Sequence, residues 1–362
     1  MADLFEPIRL GAIAAPNRIL MAPLTRGRAT RDAVPTPIME ILCKRATAGL
    51  IISEATGISR QGLGWPFAPG LWTDAQVHAW KPVTQAVHDA GGRIIAQLWH
   101  MGRQVHSSVI GEQPVSASAT ISPGHVHTYE GRQPYEQARA LELDELPGLL
   151  DSYARAAENA LAAGFDGVQI HAANGYLIDQ FLRNGSNHRT DDYGGSVENR
   201  IRLLDEVTQR VIAAAGADRT AVRLSPNGES QGVDDSDPEA VFLPAAQRLS
   251  DLRIAFLELR EPGPDGTFGR SDVPKLSPKI RQVFAGPLVV NSDFFTREAA
   301  QAALDSGVAD AVSFGRAFLA NPDLPERLRT GAPLNAGNPK TWYSQGPEGY
   351  IDYPALADQE AA

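Results

Sequence analysis

The chain has 362 residues, 43% hydrophobic and 21% charged, ordinary globular values that exclude a disordered chain and a membrane protein. A formal net charge of -10 argues against nucleic-acid and anionic-membrane partners, which reward clustered Lys and Arg. One cysteine, Cys43, excludes an intrachain disulfide, a structural Cys-type zinc site and a cysteine-ligated iron-sulfur cluster. It reads as a small, half-buried hydrophobe. No apolar run approaches the ~20 residues that span a bilayer, and the first six residues lack the basic start and apolar core of a signal peptide. A cytoplasmic protein is expected.

In chain order, residues 5–15, with Gly11 in the middle, read as a short hairpin closing the bottom of a larger body. Short β-branched runs follow at 18–22, 50–53, 93–98, 167–170, 221–224, 255–259, 288–290 and 311–314. Their nearly continuous apolar character suits strands covered on both faces, as in parallel sheets. Helical patterns lie between them. Leu150, Tyr153, Ala157 and Leu161 recur at helical spacing before a stop at Gly164, Ser196 precedes a run with Leu203, Val207 and Val211, and Thr296 caps an alanine-rich segment. Eight strands alternating with helices specify an α/β fold, a single (β/α)8 TIM barrel spanning residues 1–362, with its active site beyond the C-terminal strand ends. Residues 102–143 interrupt the repeat after the third strand and read as an inserted capping segment, with a solvated cover as the alternative. A short disordered tail is expected from about residue 357.

The barrel rule by itself selects candidate site residues: Pro23, Leu24 and Thr25; Glu54, Ala55 and Thr56; Gln97 and Trp99; His171, Asn174 and Tyr176; Arg223; Arg260; Asn291 and Ser292; Gly315 and Arg316. The set is rich in neutral donors and poor in acids. Glycoside hydrolysis needs two carboxylates, for which Glu54 with Glu258 is a weak pair. His171-x-x-Asn174 lacks the acid of a zinc-hydrolase helix, His125-x-His127 has no third ligand, and no serine sits in a Gly-x-Ser-x-Gly elbow, so no metal site is expected. Asn291-Ser292 after the seventh strand and Gly315-Arg316 after the eighth form a phosphate-site pattern, with a rim salt bridge as the plainer role for Arg316. The residues alone leave open whether His171 and Tyr176 are catalytic or merely buried polar groups.

Several motifs in order change that balance: Met21-Ala22-Pro23-Leu24-Thr25-Arg26, residues 49–56, Ala96-Gln97-Leu98-Trp99-His100-Met101-Gly102-Arg103, Asp191-Asp192-Tyr193-Gly194-Gly195-Ser196 and Ser313-Phe314-Gly315-Arg316. Together they resemble the old yellow enzyme family of flavin ene-reductases, over nearly the whole chain. The likeness is strongest to the bacterial branch of N-ethylmaleimide, nitrate-ester and cyclohexenone reductases. The resemblance implies non-covalent FMN, with NAD(P)H as a transient hydride donor and an activated alkene as the small-molecule substrate. Thr25 and Gln97 would then bond the flavin edges, and Arg223 would lie near N1 and O2, where negative charge develops on reduction. Pro23, Leu24 and Ala55 would line the ring, while Asn291, Ser292, Gly315 and Arg316 would hold the ribityl phosphate. His171 and Asn174 would polarise the substrate oxygen, and Tyr176 would protonate the α-carbon.

The resemblance further implies that Trp65, Trp99 and Tyr343 border the substrate. Relatives often have tyrosine at Trp65, so contact there is expected to be apolar. At residues 40–45 they carry an aromatic pair absent here, which predicts a shortened or re-registered first helix. Neither a Rossmann glycine fingerprint nor an iron-sulfur cysteine set is present, so NAD(P)H is expected to use the flavin site itself in a ping-pong cycle, and the dienoyl-CoA reductase branch is excluded. A flavin-free barrel isomerase and a non-catalytic flavin binder are the competing readings. Nitrate-ester or nitro reduction is an expected side activity, and a monomer or weak homodimer is the expected assembly.

Overall fold

The computed structural model describes residues 2–263, 269–270 and 272–360. The chain begins with β1 (Ile8–Leu10) and β2 (Ile13–Ala15), an antiparallel hairpin turned at Gly11. Gly11 has φ +60, and a Cβ there would stand 2.1 Å from the Asp218 carbonyl oxygen, so only glycine lets the turn dock against the chain entering the fifth barrel strand. Leu10 and Ile13 pack with Leu20, Ile52, Ile95 and Phe256 in an apolar plug at the barrel bottom.

Barrel strands β3 (Ile19–Met21), β4 (Leu50–Gly57) and β5 (Ile94–Trp99) come next. The segment after β5 is the expected insertion, and it has structure of its own. It contains a short helix at Ser107–Ile110, a two-residue parallel pairing of β6 (Val115–Ser116) with β9 (Arg139–Ala140), and between them an antiparallel hairpin of β7 (His125–Thr128) and β8 (Gly131–Pro134). The remaining barrel strands are β10 (Gly167–Ala172), β11 (Thr220–Leu224), β12 (Phe256–Arg260), β13 (Leu288–Asn291) and β14 (Ala311–Phe314). All eight pair in parallel and close as β3-β4-β5-β10-β11-β12-β13-β14. The fold is the expected TIM barrel.

Every barrel-strand residue is buried, which is why these runs carry so little alternation. Helices pack outside through the larger apolar core. Their starts follow local chemistry: Thr73 and Gln76 form a reciprocal capping box before the helix Asp74–Asp89, and the side chains of Ser196 and Thr296 accept from Asn199 and Ala299 amides. The segment Pro37–Arg45 winds as a 3-10 helix, with Cys43 half-buried in it. Two expectations need correction. β4 runs on to Gly57 through a bulge between Ile52 and Ala55, so Glu54 and Ala55 lie within the strand. The tail expected to be disordered forms a helix over Leu356–Glu360, because the Leu356 amide donates to Asp323 Oδ2 at 2.6 Å and Gln359 donates to Asn335. Residues 361 and 362 lie outside the described residues.

Candidate active site

The turn leaving β10 carries the central cluster. His171, 4% exposed, sits beside Arg223 in the β10–β11 register. The chain then reverses through Asn174 at φ +58 and Gly175 at φ +76, left-handed values that asparagine tolerates better than most side chains. The reversal is fastened from several sides. Asn174 N donates to Ser225 Oγ at 2.7 Å, Gly175 N donates to Asp179 Oδ2 at 2.8 Å, and the Gly175 carbonyl accepts from Gln104 and Gln180. Asp179 in turn pairs with Arg183 at 2.7 Å, and both side chains are fully buried. Arg183 spends its other donors on the carbonyls of Ser225 and Gly228, which ties the loop after β11 to the same turn.

Tyr176 emerges from this turn as the residue before the helix Leu177–Leu182. Its ring meets Trp99 edge-on at 5.0 Å and His171 edge-on at 4.9 Å, while Trp99 stacks with His171 at 6.4 Å. Trp99 is only 1% exposed and lies packed against the pair. The rim is formed by Trp65, with Tyr343 at 5.2 Å and His127 of the β7–β8 hairpin at 4.9 Å. Thus the inserted segment reaches the mouth. Tyr343 is 52% exposed.

Electrostatics separate the roles of the cluster. Burial, reinforced by the Arg223 cation, holds His171 well below the ordinary histidine range, so it is a neutral imidazole at pH 7. Burial pushes the Tyr176 phenol above its ordinary value, partly offset by a hydrogen bond with Gln231, so its proton is retained. Gln231, itself at φ +55, also donates to the Asn174 carbonyl at 2.9 Å.

Deeper in the mouth, Arg223 Nη1 lies 2.9 Å from Glu258 Oε2, at ion-pair distance but not aligned for a hydrogen bond, and Nη2 donates to Asn291 Oδ1 at 3.3 Å. Gln97, 1% exposed, donates to Gln169 Oε1 at 2.8 Å. Glu54 accepts the amides of Arg26 and Gly27, so Glu54 and Glu258 are each committed elsewhere and do not act as an acid pair. Pro23, Leu24 and Thr25 are half-buried after β3, and Ala55 is buried. Beyond β13 and β14, Asp293 bridges Arg260 at 2.9 Å and Arg316 at 3.1 Å. Ser292 Oγ is 2.7 Å from Lys275 Nζ.

Pro23, Leu24, Asn174, Arg223, Asn291, Gly315 and Arg316 line one cleft of about 100 Å³. Clefts of about 400, 390 and 410 Å³ are roomier, but none of them is lined by Asn174, Arg223 or Arg316, so the chemistry selects the smaller one. These residues suit a ligand that carries an anionic group and further polar edges. Buried Arg223 Nε and Nη1, His171 Nδ1 and Asn174 Oδ1 make no hydrogen bond within the protein, a cost folding alone would avoid. A Cβ on Gly315 would meet only Leu24, at 3.7 Å, and would take up cleft space.

Sequence reasoning found the cluster, and of the residues it selected after the seventh and eighth strands the structure brings Asn291, Gly315 and Arg316 to the cleft with Asn174 and Arg223. The same reasoning missed Gln231, Asp179 with Arg183, and Asp293. The i,i+4 spacing of Asp179 and Arg183 was a usable signal; Gln231 had none, since its loop reaches Tyr176 only in space.

A parallel barrel whose mouth gathers neutral donors beside an arginine-flanked cleft has the layout of a barrel enzyme that holds an anionic small molecule. The chain belongs to the NADH:flavin oxidoreductase / NADH oxidase family, whose pattern matches residues 3–335. It is similar to the solved old yellow enzyme homologue of Zymomonas mobilis, with 68% identity, a TM-score of 0.96, and 98% of this chain and 100% of that one covered. Morphinone reductase, solved in complex with tetrahydroNAD, is 46% identical with a TM-score of 0.92 and 98% coverage of both chains. A probable flavin mononucleotide-dependent alkene reductase of Leishmania infantum is 42% identical, covering 98% of this chain and 97% of its own. The protein is therefore an FMN-dependent oxidoreductase of the old yellow enzyme type, with non-covalent FMN and NAD(P)H as reductant. Among the described residues, no helix is long and apolar enough to cross a membrane.

Proposed function

We propose that the protein reduces the activated C=C bond of enones, enals, maleimides or nitroalkenes, with nitrate-ester or nitro reduction as a side activity. The chain acts as one FMN-binding domain, in the cytoplasm, as a monomer or weak homodimer. Bound FMN supplies the hydride carrier between nicotinamide and alkene. The supporting observation is the convergence of a neutral His171, Asn174 and a protonated Tyr176 at one barrel mouth. His171 and Asn174 bind the carbonyl or nitro oxygen and stabilise the charge that grows on it. Tyr176 gives its phenolic proton to the α-carbon, and Gln231 holds the hydroxyl for that transfer. Thr25, Gln97 and Arg223 contact the flavin edges, Pro23, Leu24 and Ala55 line its ring, and Asn291, Ser292, Gly315 and Arg316 hold its phosphate. Trp65 and Tyr343 give the substrate an apolar rim, while Trp99 backs Tyr176.

The deciding experiment is spectroscopic and kinetic. Purified protein should be yellow or take up FMN, and it should oxidise NAD(P)H faster when cyclohexenone is added. Protein that binds no FMN, or whose NAD(P)H oxidation ignores every alkene in a small panel, refutes the proposal.

A further inference from the structure

The sixth barrel strand carries a charge where an apolar residue would serve its packing. β12 is buried throughout, and in its middle stands Glu258, 0% exposed. A carboxylate removed from water is costly unless its charge and lone pairs are met. Three groups from three other strands meet it. Gln169 Nε2 on β10 donates to Oε2 at 2.9 Å, Ser313 Oγ on β14 donates to Oε1 at 2.5 Å, and Arg223 Nη1 on β11 lies 2.9 Å from Oε2. The network continues to Gln97 through Gln169 at 2.8 Å, and to Asn291, which donates to the Ser313 carbonyl at 2.8 Å and accepts from Arg223 at 3.3 Å. Gln97, Arg223 and Asn291, all read above as flavin contacts, are thus joined through one buried anion.

Stability does not account for this arrangement. Barrel interiors are normally filled by layers of branched aliphatic residues, and exchanging a buried ion pair for well-packed apolar groups is often neutral or stabilising. What the pair does achieve is directional. Glu258 occupies the Nη1 side of the Arg223 guanidinium and Asn291 the Nη2 side, while the buried Nε keeps hydrogen-bonding capacity that the protein does not use. We propose that Glu258 is the positioning residue and counter-charge of the flavin site: it fixes Arg223 towards the flavin pyrimidine edge and cancels part of the positive field there. This rests on the reading of Arg223 as a flavin contact. An unpaired arginine would stabilise the negative charge gained on reduction more strongly, making the cofactor easier to reduce and slower to pass its hydride on. The Glu258 carboxylate moderates that bias.

The test is the midpoint potential of bound FMN in the holoenzyme, measured by equilibration with reference dyes. Glu258→Gln keeps the size of the side chain and removes its charge. It is expected to raise the potential by at least a tenfold change in the redox equilibrium, about 30 mV for a two-electron couple. Stopped-flow reduction by NAD(P)H should become faster, and reoxidation by cyclohexenone slower. Glu258→Asp keeps the charge but withdraws it by a methylene, and should shift the potential less in the same direction. If the Gln variant fails to hold FMN, the Asp variant decides: a raised potential supports the proposal, and a wild-type potential overturns it. A purely structural Glu258 would lower the melting temperature and FMN occupancy while leaving the potential of bound flavin unchanged. Arg223→Lys separates this from the underlying reading, since unchanged FMN affinity and potential in that variant would sink the Arg223 contact itself. A shifted Arg223→Lys beside unshifted Glu258 variants would refute Glu258 alone.

Discussion

At the scale of single residues, the site holds two uncharged groups in contact, His171 beside the Arg223 cation and Tyr176 beside His171. His171 stays neutral because burial and Arg223 both oppose its protonation, and Tyr176 keeps its proton because the surroundings of the phenol disfavour phenolate. Each can then act as a hydrogen-bond or proton donor at pH 7. Tyr176→Phe is expected to slow reoxidation of the flavin by cyclohexenone by ~10²–10⁴-fold, the usual worth of a positioned acid, while leaving reduction by NAD(P)H within about twofold. Single-turnover measurements of the two half-reactions check this; equal slowing of both would point to a damaged fold. Asp179 lies behind the pair, holding the Gly175 amide and the Arg183 guanidinium. Asp179→Ala leaves a fully buried arginine uncompensated and should cost about 3–5 kcal/mol in urea denaturation. The Asp179 contacts span four residues and were open to a sequence reading, whereas the bonds from Arg183 to the Ser225 and Gly228 carbonyls depend on which loops meet. Trp99 shows the same difficulty: its place at a strand end was legible, but its 1% exposure was set by Tyr176 and His171 packing over it.

At the scale of elements, the hairpin of β1 and β2 and the insertion after β5 close opposite ends of the barrel. The hairpin has no part in the chemistry, so Gly11→Ala tests the closure cleanly. The strained φ and the 2.1 Å approach to the Asp218 carbonyl should cost about 1–3 kcal/mol and lower the melting temperature, with the turnover of folded enzyme unchanged. Its thermal melt and its kcat would be compared with wild type at 25 °C. A lowered kcat in fully folded protein would mean the barrel bottom communicates with the mouth. The insertion was legible only as an interruption. Its internal β7–β8 hairpin places His127 against Trp65, and nothing in the period of the sequence forecasts that contact.

Across the whole molecule, buried histidines tie stability to pH. His100 is fully buried and its pKa is lowered by burial to about 3, and His171 shifts in the same direction. Both titrate near 6.5 when unfolded, so the unfolded chain binds more protons below that value. Their contribution to stability is fully present above about pH 6.5 and is lost as pH falls towards their folded values, at up to about 1.4 kcal/mol per pH unit for each group. This histidine contribution weakens the protein at pH 5 relative to pH 7, while Glu54 and Glu261, raised by burial, act in the opposite direction. Comparing chemical denaturation of wild type and a His100 variant at the two pH values therefore isolates the histidine contribution. His100→Asn can still accept the Gly102 amide that His100 Nδ1 accepts at 3.1 Å, and it should flatten that pH dependence by about one proton's worth. An unchanged slope would mean that His100 is not neutral in the folded protein.

The strand count, the barrel and the His171-Asn174-Tyr176 turn were legible in the amino-acid order. All of these are local: a strand is a short run of buried residues, a cap is one side chain meeting an amide three residues on, and the barrel rule converts strand ends into a site. Which groups become neighbours was set by the folded barrel. Closure of β14 onto β3 and the parallel register bring Glu258 to Arg223, Ser313 and Gln169 across strands up to 89 residues apart in the chain, and bring Gln231 to Tyr176 from a loop outside the motif. Coulomb forces and hydrogen bonds act through space over a few ångströms, so the partners of a charge can be read only once the fold has set those distances.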